Sequence, residues 1–240
     1  MIENPLIKIF KESFYSLFKN PLLIFPSLFL YIIFIVISDI SVKVNYRLQT
    51  TPMLIAWVVS FSVISLVITS FFLSGLIGMS FQATKRKIKL GDMWFYSTRF
   101  FFPNLILIFI IVVIFNIIRY VAHNLTLIVL KPFNVSLNIA QGVFFVLYFA
   151  GLVGILIFLT FSNFYLIIKD LNITNAIKKS VSLVKKNYTY VLPIIVIFFV
   201  VDAVLNLINI KLLYELVNAI FIVPYLSLIL TKFLLMFDEK

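Results

Sequence analysis

Long apolar runs separated by short clusters of charge dominate this chain. Residues 53–81 are apolar almost throughout, with neither the alternation of a half-buried strand nor the narrow stripe of a soluble helical bundle. Six such runs predict transmembrane helices, over residues 22–38, 53–81, 104–121, 137–168, 191–208 and 216–237. Each approaches the length needed to cross about 30 Å of hydrocarbon at about 1.5 Å per residue. The second and fourth exceed one crossing, which predicts tilt or projection beyond the bilayer. Pro26, Pro193 and Pro224 fall near the starts of spans or inside them, and Pro224 predicts a kink in the last.

A second pattern lies between the runs. Ser13, Ser97 and Ser180 are 84 and 83 residues apart, and each is followed seven residues later by Asn: Asn20, Asn104 and Asn187. Seven, four and three residues before each Ser, and four after it, stand Leu6, Ile9, Phe10 and Leu17; Leu90, Met93, Trp94 and Phe101; and Ile173, Ala176, Ile177 and Val184. All are apolar and share a helix face, while Lys8, Lys11, Lys19, Asp92, Arg99 and the lysines near Ser180 fall between them. Each segment predicts an amphipathic helix whose apolar face lies in the headgroup boundary while its lysines stay wet. Pro26 and Pro193 also coincide, thirteen residues after Ser13 and Ser180.

One amphipathic helix plus two spans returns the chain to its starting side, so successive copies point the same way. The predicted fold is an all-α polytopic membrane protein, one membrane domain over residues 1–240 with internal repeats 1–83, 84–167 and 168–240. Its six transmembrane helices form three parallel repeats, each a cytoplasmic amphipathic helix plus two spans, about a pseudo-threefold axis along the membrane normal. That differs from the inverted repeats of many transporters.

Composition agrees: 63% of residues are hydrophobic, 12% are charged and mean hydropathy is +1.15, which excludes an ordinary soluble domain. The absence of cysteine excludes disulfides, thiolate metal sites and cysteine nucleophiles. A net charge of +11 raises nucleic acid as a partner, but the distribution of the charge points elsewhere. Fifteen Lys and Arg fall on the side of the amphipathic segments and five on the other. The positive-inside rule then makes the chain a multi-pass protein of the cytoplasmic membrane with both termini cytoplasmic, and topology accounts for the charge without nucleic acid. The N-terminal MIENPLIKIF carries an acid and the run 22–38 ends without a small-residue cleavage site, so the first span is expected to be retained.

Few residues suggest chemistry. Twenty-two residues after each Ser stand Ile35, Arg119 and Asp202, and twenty-six after stand Asp39, His123 and Asn206. Four residues apart is one helix face, so Arg119, His123, Asp202 and Asn206 form a candidate polar cluster in the outer half of the bilayer. A charge there costs at least a few kcal/mol unless paired or wetted. Arg119 and Asp202 are therefore expected partners, either as a structural staple or as part of a hydrated site for a head group or small ion. Asp202 reads as the sole acid well inside a span.

His123, the lone histidine, has no companions for a metal site. Gly78-Met79-Ser80-Phe81-Gln82 begins like a nucleophile elbow but has Gln at its fifth position and no His on its side of the membrane. No metal, cofactor or catalytic residue is expected. Gly75 and Gly78, and again Gly151 and Gly154, suit close helix packing. Asn124-Leu-Thr126 and Asn134-Val-Ser136 are glycosylation sequons on the expected outer side. Lys178, Lys179, Lys185 and Lys186 are candidate contacts to anionic lipid, each contributing on the order of 1 kcal/mol of attraction beside such a surface.

The element NITNAIKKSVSLVKKNYTYVLPIIVI, with Ala176, Ser180 and Asn187, resembles the recurring signature of six-span bacterial and archaeal membrane proteins related to the membrane domain of glycerophosphodiester phosphodiesterases. FKESFYSLFKNPLLIFPSL, with Ser13, Asn20 and Pro21, is similar in kind. The resemblance covers nearly the whole chain and carries over no catalytic residue, because the soluble phosphodiesterase domain has no counterpart here. The expectation is a non-enzymatic membrane protein that organises anionic lipid, or docks a protein partner, through basic cytoplasmic interfacial helices. The alternative is a small permease or channel using the outer polar cluster.

Overall fold

A computed structural model describes residues 4–45, 51–130, 137–207 and 211–238. Helix α1 (Pro5–Lys19) opens with Pro5 at its first position and with the Asn4 side chain accepting from the Leu6 N–H at 3.0 Å. It stops at Asn20, because the residue before Pro21 is driven out of the helical region, here to φ −128 and ψ 66. A short turn (Pro21–Leu23) leads into α2 (Ile24–Asn45) and α3 (Thr51–Ala83). There follow α4 (Leu90–Leu130), α5 (Leu137–Leu159), α6 (Ser162–Ile168), α7 (Ile173–Lys186) and α8 (Tyr188–Asn206). The last stretch is α9 (Lys211–Val217), a π-helical turn (Asn218–Ile222) and α10 (Val223–Phe237).

Among the described residues six stretches are long and apolar enough to cross a membrane: Pro21–Ser41, Pro52–Ala83, Leu90–Ile128, Ile139–Ile168, Tyr188–Leu205 and Leu212–Phe237. The protein is an all-helical polytopic membrane protein. Its spans depart from the expected ones at residues 160–161, where a turn splits the fourth into α5 and α6, and near Ser97. The amphipathic segment near Ser97 is not a separate helix, since α4 runs unbroken for 41 residues with Pro103 inside it, about 60 Å at 1.5 Å per residue.

The three asparagines explain how the segments differ. Asn20 and Asn187 close α1 and α7, each turning its Nδ2 back to a carbonyl four residues earlier, Ser16 at 3.1 Å and Leu183 at 3.0 Å. Asn104 instead reaches across to α3, donating to Ser70 O at 3.1 Å and Ser74 Oγ at 2.9 Å. The Asn that caps a helix end at positions 20 and 187 is a bridge between helices at 104. At Pro224, where a kink is expected, a π-helical turn precedes the proline. Proline removes an N–H and crowds the preceding turn, and the wider π turn makes room for it. The Ala219 carbonyl in that turn takes a contact of 2.5 Å from Ser27 Oγ of α2.

Packing follows a ring, with α2 on α3, α3 on α4, α4 on α5, α5 on α8, α8 on α9, and α2 against the π-helical turn and α10. The core lies at one end, where α3, α6 and α10 meet. Ile77, Phe161, Ile229, Phe233 and Leu234 are buried there, and the Phe161 and Phe233 rings stack at 5.3 Å between centroids. The opposite end is splayed: Met53, Ile55, Val58, Val59 and Val63 of α3 and Phe145, Val146 and Phe149 of α5 are all exposed.

Around the core end sit α1 against α10, the start of α4 against α3, and α7 against α5 and α6. Much of their apolar faces packs on the bundle, although Leu90 and Trp94 at the start of α4 stay exposed. Ile9, Ser13 and Leu17 are buried on α1, Tyr96, Ser97 and Phe100 on α4, and Ala176, Ser180, Leu183 and Val184 on α7. Each serine lies at the centre of its buried face, where a small side chain lets the neighbouring helix approach closely. Ser97 Oγ donates to Phe71 O at 2.8 Å and Ser180 Oγ to Phe158 O at 2.6 Å. Further apolar side chains stay exposed on α1, at Ile7, Phe14 and Phe18, and on the start of α4, at Leu90, Trp94 and Phe95, whereas the outward face of α7 is polar.

Candidate functional site

Arg119, His123 and Asp202 do not converge. Arg119 and His123 are exposed on α4, and the His123 ring meets Phe144 edge-on at 6.2 Å. Asp202 on α8 is half-buried and accepts from Tyr214 Oη at 2.7 Å and from Asn218 Nδ2 at 3.4 Å. No ion pair joins Arg119 to Asp202 among the described residues, because α5 stands between α4 and α8. Equal spacing from Ser97 and Ser180 does not bring the two helices together. The Asn206 side chain lies outside the described residues.

Asp202 borders a cavity of ≈ 500 Å³ between α5, α8 and α10, with Thr160 and Asn218 as its other polar lining. A second cavity, ≈ 840 Å³, opens between α2, α3 and α9 and contains Asp39 and Glu215. Glu215 accepts from Tyr31 Oη at 3.0 Å. Asp202 is therefore not alone: Glu215 also lies within a span, Leu212–Phe237, and sequence reasoning missed it by starting that span one residue later. The signal available was a lone acid between Tyr214 and a long apolar run.

Among the described residues no three His, Asp or Glu side chains are grouped to hold a metal. Ser80 is buried inside α3 with its Oγ 2.8 Å from Ser227 Oγ of α10, a polar tie between helices with no base beside it. Asn124 sits within the backbone of α4, its Nδ2 donating to Tyr120 O at 2.8 Å, rather than in the loop that a glycosylation acceptor requires. The sequon at Asn134 lies outside the described residues.

The four glycines divide. A Cβ on Gly78 would lie 2.0 Å from Tyr96 Cγ, one on Gly75 would lie 2.5 Å from Ser97 Oγ, and one on Gly151 would lie 2.7 Å from Ile118 Cγ2. Gly154 faces open space. The α3–α4 contact thus depends on two absent side chains and the α4–α5 contact on one.

The core end carries the charge. Lys178, Lys179, Lys185 and Lys186 are all exposed along α7. A cavity of ≈ 530 Å³ opens beside α1, between the loop after α3 and the end of α10. Lys19, Lys85, Arg86, Lys87 and Lys232 line it with a single acid, Glu12. At its base Asn20 Oδ1 accepts from the Ile88 N–H at 3.2 Å, holding the 84–89 loop against the end of α1. Arg86 Nη2 lies 2.5 Å from Asp92 Oδ1, and Asp92 Oδ2 takes the Lys89 N–H at 2.8 Å, which caps the start of α4. No periodicity pointed to this cavity, since its lining comes from three separate stretches of chain.

These features define a polytopic helical membrane protein with one basic, well-packed end. The chain matches, over residues 5–236, the family described as a domain of unknown function (DUF7847), and it belongs to that family. No curated protein and no solved structure matches it significantly.

Proposed function

We propose that the protein is a non-enzymatic organiser of the bilayer, gathering anionic lipid at its basic end, which faces the cytoplasm. On this reading both termini are cytoplasmic and the chain resides in the cytoplasmic membrane. The three Ser-centred segments, α1, the start of α4 and α7, are equivalent copies about a pseudo-threefold axis. What supports the equivalence is that each rests on the span before it around the ring, α1 closing the circle against α10. The likeness of the Ser and Asn signature to membrane domains related to glycerophosphodiester phosphodiesterases is part of the same proposal.

The observation that carries the reading is segregation. At the core end Lys8, Lys11, Lys19, Lys87, Lys178, Lys179, Lys185 and Lys186 are exposed, while the centre beneath them is filled by Phe161, Phe164 and Phe233. A plugged centre under a cationic rim suits lipid gathering better than permeation. The permease alternative rests on the outer cavities at Asp202 and Glu215, the first of which ends against that core at Leu230.

Native mass spectrometry of the purified protein with lipids retained tests the proposal. Phosphatidylglycerol is expected to be kept over phosphatidylcholine, and replacing Lys178, Lys179, Lys185 and Lys186 by Gln is expected to reduce the number retained. Equal retention of the two lipids would overturn it. Because the chain lacks cysteine, single cysteines at Ser182 and Leu207, both exposed, report topology directly. An impermeant maleimide added to intact cells is expected to label the second and spare the first.

A further inference from the structure

We infer that the cavity between α1, the 84–89 loop and α10 is a specific site for a phosphate monoester, distinct from the diffuse attraction of the α7 lysines. The inference rests on the lipid-gathering reading and sharpens it. Five cationic side chains line the cavity. Two are already matched: Lys232 Nζ lies 3.5 Å from Glu12 Oε2, and Arg86 pairs with Asp92 at 2.5 Å. Lys19, Lys85 and Lys87 are the surplus, with Lys85 Nζ seated 3.8 Å over the Phe81 ring, a contact that leaves its charge uncompensated.

The carbonyl ends of α1, α3 and α10 also face this region and draw lysines to it. Their partial charges sum to about 1.5 elementary charges, against three surplus cations. A net excess of about 1.5 matches a phosphate monoester, which carries about −1.5 to −2 at neutral pH, better than the single charge of a phosphodiester. The lysines supply three donors each, and Arg86 a planar fork, around a volume within the usual range for small-molecule sites.

The surroundings fit a monoester carried on a lipid. Leu235, Met236 and Ala83 form an apolar wall of the cavity, and the neighbouring α1 exposes Ile7, Phe14 and Phe18 toward the surface. The α7 lysines have no such apolar companions. Lys19 is the last residue of α1 and Lys232 lies within the last span, so the cavity sits where a headgroup meets the protein.

The full-length protein in nanodiscs, with phosphatidic acid or phosphatidylglycerol doped into phosphatidylcholine, gives the test, with inorganic phosphate as the soluble arm. The wild type is expected to prefer phosphatidic acid at least tenfold. Lys19→Gln/Lys85→Gln/Lys87→Gln removes that preference, while the Gln variant of the four α7 lysines keeps it. Lys87→Gln alone, at an exposed position, is expected to weaken binding about threefold without moving the melting temperature. Competition by millimolar inorganic phosphate that the triple variant abolishes assigns the site to phosphate itself, and dependence on the lipid form assigns it to the headgroup. An unchanged preference in the triple variant overturns the site. Loss of that preference in the wild type with phosphatidylglycerol still retained overturns the site alone, whereas retention of neither lipid overturns the lipid-gathering reading with it.

Discussion

The phenol of Tyr165, buried in α6, donates to Asp238 Oδ1 at 2.5 Å, tying the end of the last span to the centre of the core. Lys169 Nζ lies 3.0 Å from the other oxygen. Burial pushes the Asp238 carboxyl up, but the hydrogen bonds from Tyr165 and Lys169 and the charges of Lys169 and Lys179 outweigh it, leaving its pKa below the ordinary value. A lowered carboxylate pKa contributes stability that is present above the unfolded value, about 3.9, and is lost as pH falls through the folded value. Asp238→Asn is expected to cost about 1–2 kcal/mol at neutral pH. Thermal melts in detergent should show wild type and variant converging below about pH 4.

Gly78→Ala is expected to destabilise by about 1–3 kcal/mol, because the added methyl collides with the Tyr96 ring at the closest helix contact. Gly154→Ala, facing open space, should leave stability unchanged or raise it slightly through helix propensity. A pair of melting curves separates them, and equal losses would contradict the asymmetry.

The three serines are expected to respond unequally to alanine. Ser97→Ala and Ser180→Ala each lose a hydrogen bond to a neighbouring helix, worth about 0.6–1 kcal/mol. Ser13 Oγ is buried with no partner, so Ser13→Ala should be neutral or stabilising. Denaturation by a graded detergent series reads the ranking.

Exchanging the charges of Arg119 and Asp202 is not expected to rescue either single reversal. Asp202 is held by Tyr214, and Tyr214→Phe should lower stability by about 1 kcal/mol, whereas Arg119→Gln on the exposed face of α4 should change it by less than about 0.5 kcal/mol. Rescue in the double variant would show that the two side chains meet.

Much of the span pattern could be read from apolar runs alone, because a bilayer demands about twenty apolar residues per crossing whatever the helices do next to one another. Residue types local to a bend were also legible: Asn20 before Pro21 ends α1 as backbone sterics require. The sequence did not reveal that α4 continues through Pro103, since that depends on Asn104 finding Ser70 and Ser74 across the helix contact.

By itself, then, the chain determined its class, its six crossings and the spacing of its serines, all consequences of local hydrophobicity and helical period. Tertiary structure decided which faces are buried and which charges meet. Arg119 and Asp202 share a register position but are separated by α5, while Lys19, Lys87 and Lys232 are distant in sequence and line one cavity. Periodicity encodes the direction a side chain takes from its own helix, but the neighbour it finds depends on the order in which helices pack, which no single helix contains.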